Sequence, residues 1–341
     1  GWMLYKQNPL AAVADSAKTL RMMETMDFIC AIDVQPSQTA WMADIILPET
    51  LYLEPLNEPH GALSASRWNA LAAETVAVIR EVDGVHTIVL DSAEWGSATA
   101  VAQLRVPEGA SNVICSFHLY EPMLFTHQGA EWMNDGYSTL GVVWPGPPER
   151  ELPPSEGARS FSSAVQWLQA YNTQPPERNP AGPRPIEQAL DWAVMHGERL
   201  DCPLWLGEFG AYSKADMGSR VNWTTFVREE AVRGLKTIRD SAAEPLVRAL
   251  LVREPNDRVR VEAVEYLGTV NSGSAVAALL PLLEDPDPTL RHKARQSLTR
   301  IAGRDLGFRR VTWTRWARER YPELAQPVAP VVPSQPGPSM R

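Results

Sequence analysis

Leu56-Asn57-Glu58-Pro59-His60-Gly61 is the stretch on which the reading of this chain turns. A glutamate stands where an apolar approach breaks into a loop, and a proline stops a strand from continuing. Farther along, Leu206-Gly207-Glu208-Phe209-Gly210 repeats the arrangement at the end of a run that starts at Pro203. Between them Thr87-Ile88-Val89-Leu90-Asp91 and Asn112 to Phe117 are short apolar runs of buried-strand type. Helical stretches alternate with these strands: Ser64 to Val82, with Trp68, Leu71, Val78 and Val82 set on one face, then Ser160 to Tyr171, Ile186 to His196 and Asn222 to Val232. Successive strand-then-helix units predict parallel strands joined by right-handed crossovers. The Pro-rich segment Trp144 to Pro154 reads as an irregular surface loop.

Two isolated glutamates at strand ends suit one chemistry in particular. Cleaving a glycosidic bond needs a carboxylic acid to protonate the leaving oxygen and a second carboxylate as nucleophile or base. In a (β/α) barrel such groups come from the C-terminal ends of strands. The amide and glycine neighbours, Asn57 and Gly207, let a substrate come near. The chain's 12 tryptophans serve cores and also flat sugar faces.

Charge divides the chain. Residues 233–341 hold 18 Lys+Arg against 12 Asp+Glu, which leaves 14 against 29 in residues 1–232 out of the totals of 32 and 41. The shift marks a compositional boundary near residue 232. An acidic first part argues against nucleic acid as its substrate. The arginines of the second part fall at helical spacing and read as a solvated helix face. Cys30, Cys115 and Cys202 are far apart, with no CxxC, so neither a disulfide framework nor a zinc site is indicated. No metal or cofactor is expected. No apolar run reaches membrane-spanning length. The first residues lack a charged segment followed by an apolar one, so no export signal is read and localisation is left open. The glycine at position 1 hints at a true beginning upstream.

The middle of the chain resembles glycoside hydrolase family 5, the cellulase-type retaining β-glycanases. The resemblance is carried by Leu56 to Gly61, by Ser116-Phe117-His118-Leu119-Tyr120-Glu121-Pro122, by Phe125-Thr126-His127-Gln128-Gly129-Ala130-Glu131-Trp132 and by Leu206 to Gly210, in the family's order and spacing. It implies that Glu58 is the acid/base after the fourth barrel strand and Glu208 the nucleophile after the seventh. Asn57 would bond the sugar 2-hydroxyl. His118 and Tyr120, after the sixth strand, would orient the carboxylates, and Trp95, after the fifth, would flank the sugar or fill the core. The substrate implied is a β-glucan-type polysaccharide, and the carboxyl separation of a retaining enzyme is about 5–5.5 Å.

The flanks carry other resemblances. Asn8-Pro9, Asp27-Phe28 through Ile32-Asp33, and Thr39-Ala40 through Glu49-Thr50 resemble a fragment of the molybdopterin oxidoreductases. Here they read as a cofactor-free βαβ piece, with strands at residues 27–33 and 43–48 and a helix over Ala17 to Met26. In the second part, Val259-Arg260-x-x-Ala263-x-x-x-Leu267 recurs as Leu290-Arg291-x-x-Ala294-x-x-x-Leu298, 31 residues on. Each copy follows an acidic Pro-containing turn and an apolar helix, Pro245 to Val252 and Val276 to Leu283. The pattern resembles HEAT repeats, whose paired helices stack into a solenoid. There the arginine bonds to neighbouring turns, and Trp313 and Trp316 would cap the open end.

The expected fold is therefore a mosaic. Residues 1–54 form a small α/β fragment and residues 55–232 a partial (β/α) barrel, about half of a TIM barrel. Residues 233–325 form a short all-α HEAT-like solenoid with a terminal helix, and residues 326–341, with five prolines, a disordered tail. Strands one to three and eight of the family's barrel have no counterpart, which argues against full activity and leaves open edges through which two copies could pair. Three functional readings stay open: a retaining endo-β-1,4-glucanase-like hydrolase, a composite of three fragments with no joint function, and a non-catalytic module that docks a protein through residues 233–325. No nucleic acid or membrane partner is expected.

Overall fold

The computed structural model describes residues 2–5, 29–33, 45–48, 52–238 and 241–325. It divides into two compact units, residues 1–118 with 195–208 and residues 119–194 with 209–341. The first unit contains two sheets. One has the order β1-β2-β3, from β1 (Trp2–Tyr5), β2 (Ile29–Asp33) and β3 (Ile45–Pro48). Its strands are parallel, with Trp2 opposite Ile29 and Cys30 opposite Ile45. The helix expected over Ala17 to Met26 lies outside the described residues.

The other sheet positions the site. Its order is β4-β5-β6-β7, from β4 (Tyr52–Leu53), β5 (Thr87–Asp91), β6 (Val113–Leu119) and β7 (Leu204–Phe209). β4 pairs with β5, and β5 with β6, in parallel. Ile88 to Asp91 are all buried, and so are Val113 and Cys115 to Leu119, as expected for central parallel strands covered on both faces. Asp91 stands opposite Ser116. His118 lies two residues beyond Ser116 and so projects from the same face. β7 is an outer strand of this sheet among the described residues, with Trp205 and Phe209 exposed and its other residues half-buried.

The helix Ala65–Val82 buries Trp68, Ala72 and Val76, a stripe at four-residue spacing. This corrects the expected face, because Leu71, Val78 and Val82 are exposed. A buried indole N–H needs an acceptor, and Trp68 Nε1 donates to the Asp91 carbonyl at 2.7 Å. That bond ties the helix rotation to the end of β5. The thiols of Cys115 and Cys202 lie 2.8 Å apart although 87 residues separate them. The Cys115 N–H donates to the Pro203 carbonyl at 2.9 Å, so neighbouring strands bring them together.

In the second unit, residues 141–157 carry no regular structure. Trp144 nonetheless is buried against Phe226, at 5.5 Å between ring centres, and its backbone N–H donates to Ser219 Oγ. The segment is irregular as expected but is not wholly at the surface, because its large apolar side chains have a pocket to fill. Helix Ser162–Thr173 follows. Helix Met217–Ile238 is longer at both ends than its apolar spacing indicated.

The helices of the C-terminal part are Glu244–Arg253, Asp257–Leu267, Gly273–Leu279, Pro288–Ala302 and Arg310–Arg320. Asn256, Ser272 and Asp287 cap three of them by accepting a backbone N–H. Val259, Ala263 and Leu267, with their repeat partners Leu290, Ala294 and Leu298, are fully buried in one core. Arg260 bonds Asp285 Oδ2 at 2.8 Å, and Arg291 donates to the Asp285 and Pro286 carbonyls, so both repeat arginines hold the same turn. Trp313 is fully buried and Trp316 packs edge-on to it at 5.8 Å. The basic side chains are less free than a solvated face would leave them. Arg233 and Lys236 reach Glu262, and Lys236 and Lys293 reach Glu265.

Candidate active site

The site is built at the C-terminal ends of β4, β5, β6 and β7. Beyond β4 the backbone turns sharply, and Glu58 takes a left-handed conformation with φ of 51°. Such a conformation is costly for a residue with a Cβ and persists only when neighbours hold it. Two do. The Glu58 N–H donates to Asp91 Oδ2 at 3.0 Å, and the Glu58 carbonyl meets His60 Nδ1 at 2.6 Å.

His118 is the hub. Its side chain is 2% exposed, and its Nδ1 lies 2.8 Å from Glu58 Oε1 and 3.7 Å from Glu208 Oε2. Its other nitrogen, Nε2, faces Asp91 Oδ2 at 3.4 Å, and the Asp91 side chain is fully buried. Glu58 is 29% exposed and Glu208 44%. One oxygen of each carboxylate and one ring nitrogen of His118 all lie within 4.8 Å of one another. That spacing would also suit a divalent cation, but His118 Nδ1 is already engaged with Glu58.

Two glycines make room for the ring. A Cβ on Gly96, whose φ is +67°, would sit 2.8 Å from His118 Cγ and Nδ1. A Cβ on Gly207 would sit 2.5 Å from Ser116 Oγ and 3.5 Å from the His118 ring. Glycine at these places is what lets β7 and the turn after β5 close on His118.

The other expected residues fall as follows. Asn57 is exposed beside Glu58. Trp95 is 58% exposed, which rules out the core-indole alternative. It stacks on His60 with 4.8 Å between ring centres and 12° between planes, making a flat aromatic surface next to Glu58. Tyr120 belongs to the second unit, where it packs edge-on to His127 at 4.9 Å. In that unit Gln128, fully buried, has both ends satisfied: Nε2 donates to the Phe125 and Val142 carbonyls, and Oε1 accepts from the Gly141 and Val142 N–H groups. Exposed Trp132 packs edge-on to Tyr212 at 4.8 Å. Hydrogen bonds from Lys214 and Tyr212 hold the Glu131 carboxyl down to about 2.

Two residues of this centre escaped the sequence reading. Asp91 supplies the carboxylate behind His118, and Glu54, just past β4, bonds to Asp91. Burial, and then the Asp91 charge, push the Glu54 carboxyl above its usual range. The available signal was a carboxylate closing each apolar run, Leu53-Glu54 and Leu90-Asp91.

The cellulase model, glycosyl hydrolase family 5, matches residues 47–238. HEAT repeats match residues 225–299 and molybdopterin oxidoreductase residues 1–60. Endoglucanase 3 of Fibrobacter succinogenes is 32% identical over 191 residues, covering 53% of this chain and 28% of that protein. Endoglucanase C of Acetivibrio thermocellus is 27% identical over 162 residues, covering 47% of this chain and 44% of its own length. A solved endoglucanase structure is 33% identical, with a TM-score of 0.41, over 54% of this chain and 48% of that one. The chain thus spans less than half the length of these relatives. With a match over residues 47–238, the chain belongs to glycosyl hydrolase family 5, the cellulase family.

Proposed function

We propose that this chain carries the reacting centre of a retaining, endo-β-1,4-glucanase-like glycosidase acting on a β-glucan-type polysaccharide. Glu58 is the acid/base and Glu208 the nucleophile. His118, held between them, orients both. Asn57 meets the sugar 2-hydroxyl, and the Trp95–His60 surface supports a sugar ring. The role of Tyr120 rests on the family resemblance alone. One observation carries the reading: oxygens of Glu58 and Glu208 stand within 4.8 Å of each other and of His118. Retaining enzymes hold their carboxyl groups about 5–5.5 Å apart, whereas inverting ones need about 6.5–9.5 Å to admit a water. In the first step Glu208 attacks the anomeric carbon while Glu58 protonates the departing oxygen. In the second, Glu58 takes a proton from water, which releases the sugar with its configuration retained.

The test is reducing-sugar release from a soluble β-glucan, with the anomer followed by NMR. Wild type should give the retained anomer, and Glu208→Gln should lose about 10²–10⁴-fold in rate. A wild type that releases no sugar at high enzyme concentration, or a fully active Glu208→Gln, would overturn the reading.

A second reading has its own support. Three unrelated family models match successive stretches of one chain, residues 1–60, 47–238 and 225–299. We therefore also propose a mosaic: an α/β fragment to about residue 54, about half of a (β/α) barrel to about 232, and a HEAT-like solenoid to about 325. In this reading the outer strands pair in a homodimer, and residues 233–325 offer a protein-docking surface, or the pieces have no joint function. Limited proteolysis discriminates: cuts near 55 and 232 support the mosaic, and resistance there argues for one integrated unit.

A further inference from the structure

We propose that Asp91 is the positioning residue of this centre: by facing His118 Nε2 it fixes which ring nitrogen meets Glu58, and so keeps one proton in the contact between His118 and Glu58. The proposal rests on the reading of Glu58 as the acid/base, which it deepens.

Geometry supports it. Asp91 is fully buried, and a buried carboxylate persists only with donors around it. Oδ2 accepts the Glu58 N–H at 3.0 Å and faces His118 Nε2 at 3.4 Å. Both ring nitrogens face a carboxylate, but Asp91 is the fully buried one and needs a donor beyond the Glu58 N–H, which assigns the ring hydrogen to Nε2. That leaves Nδ1 with a lone pair whenever the ring is neutral. Nδ1 lies 2.8 Å from Glu58 Oε1, and two bare lone pairs do not hold that distance. One proton therefore sits in the contact, on Glu58 as the acid or on His118 as imidazolium. It is the proton that the leaving group needs.

Three carboxylates face His118 among the described residues. Glu58 follows β4, Asp91 ends β5, and Glu208 lies on β7 at 3.7 Å from Nδ1. Glu54 stands behind Asp91. Asp91 Oδ1 meets no N–H or hydroxyl donor among the described residues, and the Glu54 carboxyl is bonded to Asp91.

Asp91→Asn keeps the shape and an acceptor but removes the charge. Without a nearby negative charge the His118–Glu58 pair binds its proton less tightly. The basic limb of the kcat/KM profile should then move to lower pH by about one unit. A packing role would lower kcat and leave the limb in place, and that outcome overturns the proposal.

A second measurement needs no activity and no variant of Asp91. Nitrogen-15 NMR of histidine-labelled wild type, with His118 assigned by its loss in His118→Gln, should show Nε2 protonated throughout the titration. A neutral His118 with its hydrogen on Nδ1 overturns the proposal even if the enzyme is active. An inactive wild type that shows the Nε2–H signature sinks the hydrolase reading and leaves the role of Asp91 standing.

Discussion

Replacing Gly96 by alanine tests how tightly the fold holds His118. Gly96 has a φ of +67°, and its added Cβ would lie 2.8 Å from two atoms of the His118 ring. Two penalties follow. A left-handed conformation costs an alanine roughly 1–2 kcal/mol. Forcing a methyl group into a filled space costs roughly 1–3 kcal/mol more. Gly61 separates the two. Its φ is +64°, and an added Cβ meets nothing within 4 Å. Gly61→Ala therefore carries the backbone penalty alone, and the difference between the variants, about 1–3 kcal/mol, belongs to the contact with His118. For a unit of this size each kcal/mol moves the unfolding midpoint by about 2–4 °C. The ring cannot simply step aside, because Glu58 Oε1 is bonded to Nδ1 on one side and β7 lies close at Gly207. A displaced ring also stops orienting Glu58, so Gly96→Ala should lose tenfold or more in kcat, the size of a contact worth about 1.4 kcal/mol in the transition state. Thermal unfolding and β-glucan kinetics of the two variants, measured side by side, decide the matter. If Gly96→Ala matches Gly61→Ala in both, His118 is not held as described.

Three further outcomes follow. Burial opposes ionisation of Glu265, but hydrogen bonds from Lys236 and Lys293 outweigh it and bring the carboxyl down to about 2. A depressed folded-state pKa gives stability that is present above the unfolded value near 4.3 and lost as pH falls toward 2. Allowing for solvent at this partly exposed cluster, the contribution is about 1 kcal/mol, and urea midpoints of Glu265→Gln should fall less than those of wild type between pH 5 and 2. The Cys115 and Cys202 thiols, 2.8 Å apart, should close when oxidised glutathione is supplied, by exchange that releases two glutathione thiols. A non-reducing peptide map should then join the two cysteines, and a map that shows only mixed disulfides would refute the pairing. Trp313→Ala should destabilise the helical part by about 3–5 kcal/mol, read by loss of its helical signal at lower urea, because the indole is fully buried and donates to the Gly307 carbonyl.

The sequence by itself determined most of the elements and singled out the two strand-end glutamates. Period and punctuation are local properties, so β5, β6, β7 and the helical repeat could be read within a few residues. So could Glu58 and Glu208, because each closes an apolar run. The helix Ala65–Val82 was also legible, but its buried face was not, since Leu71 and Val78 are as apolar as Val76. What turned it was the bond from Trp68 to Asp91, a contact between residues 23 apart. Tertiary structure alone decided the rest of the centre. Asp91 is an ordinary strand-end carboxylate until parallel register sets it opposite Ser116, with His118 two residues beyond on the same face. Trp95 became a surface ring rather than a core one because the turn after β5 runs through two left-handed residues, Glu94 and Trp95. Cys115 and Cys202 met for the same reason that His118 met Glu208: β6 and β7 are neighbours in the sheet, and register between distant strands is written in no local pattern.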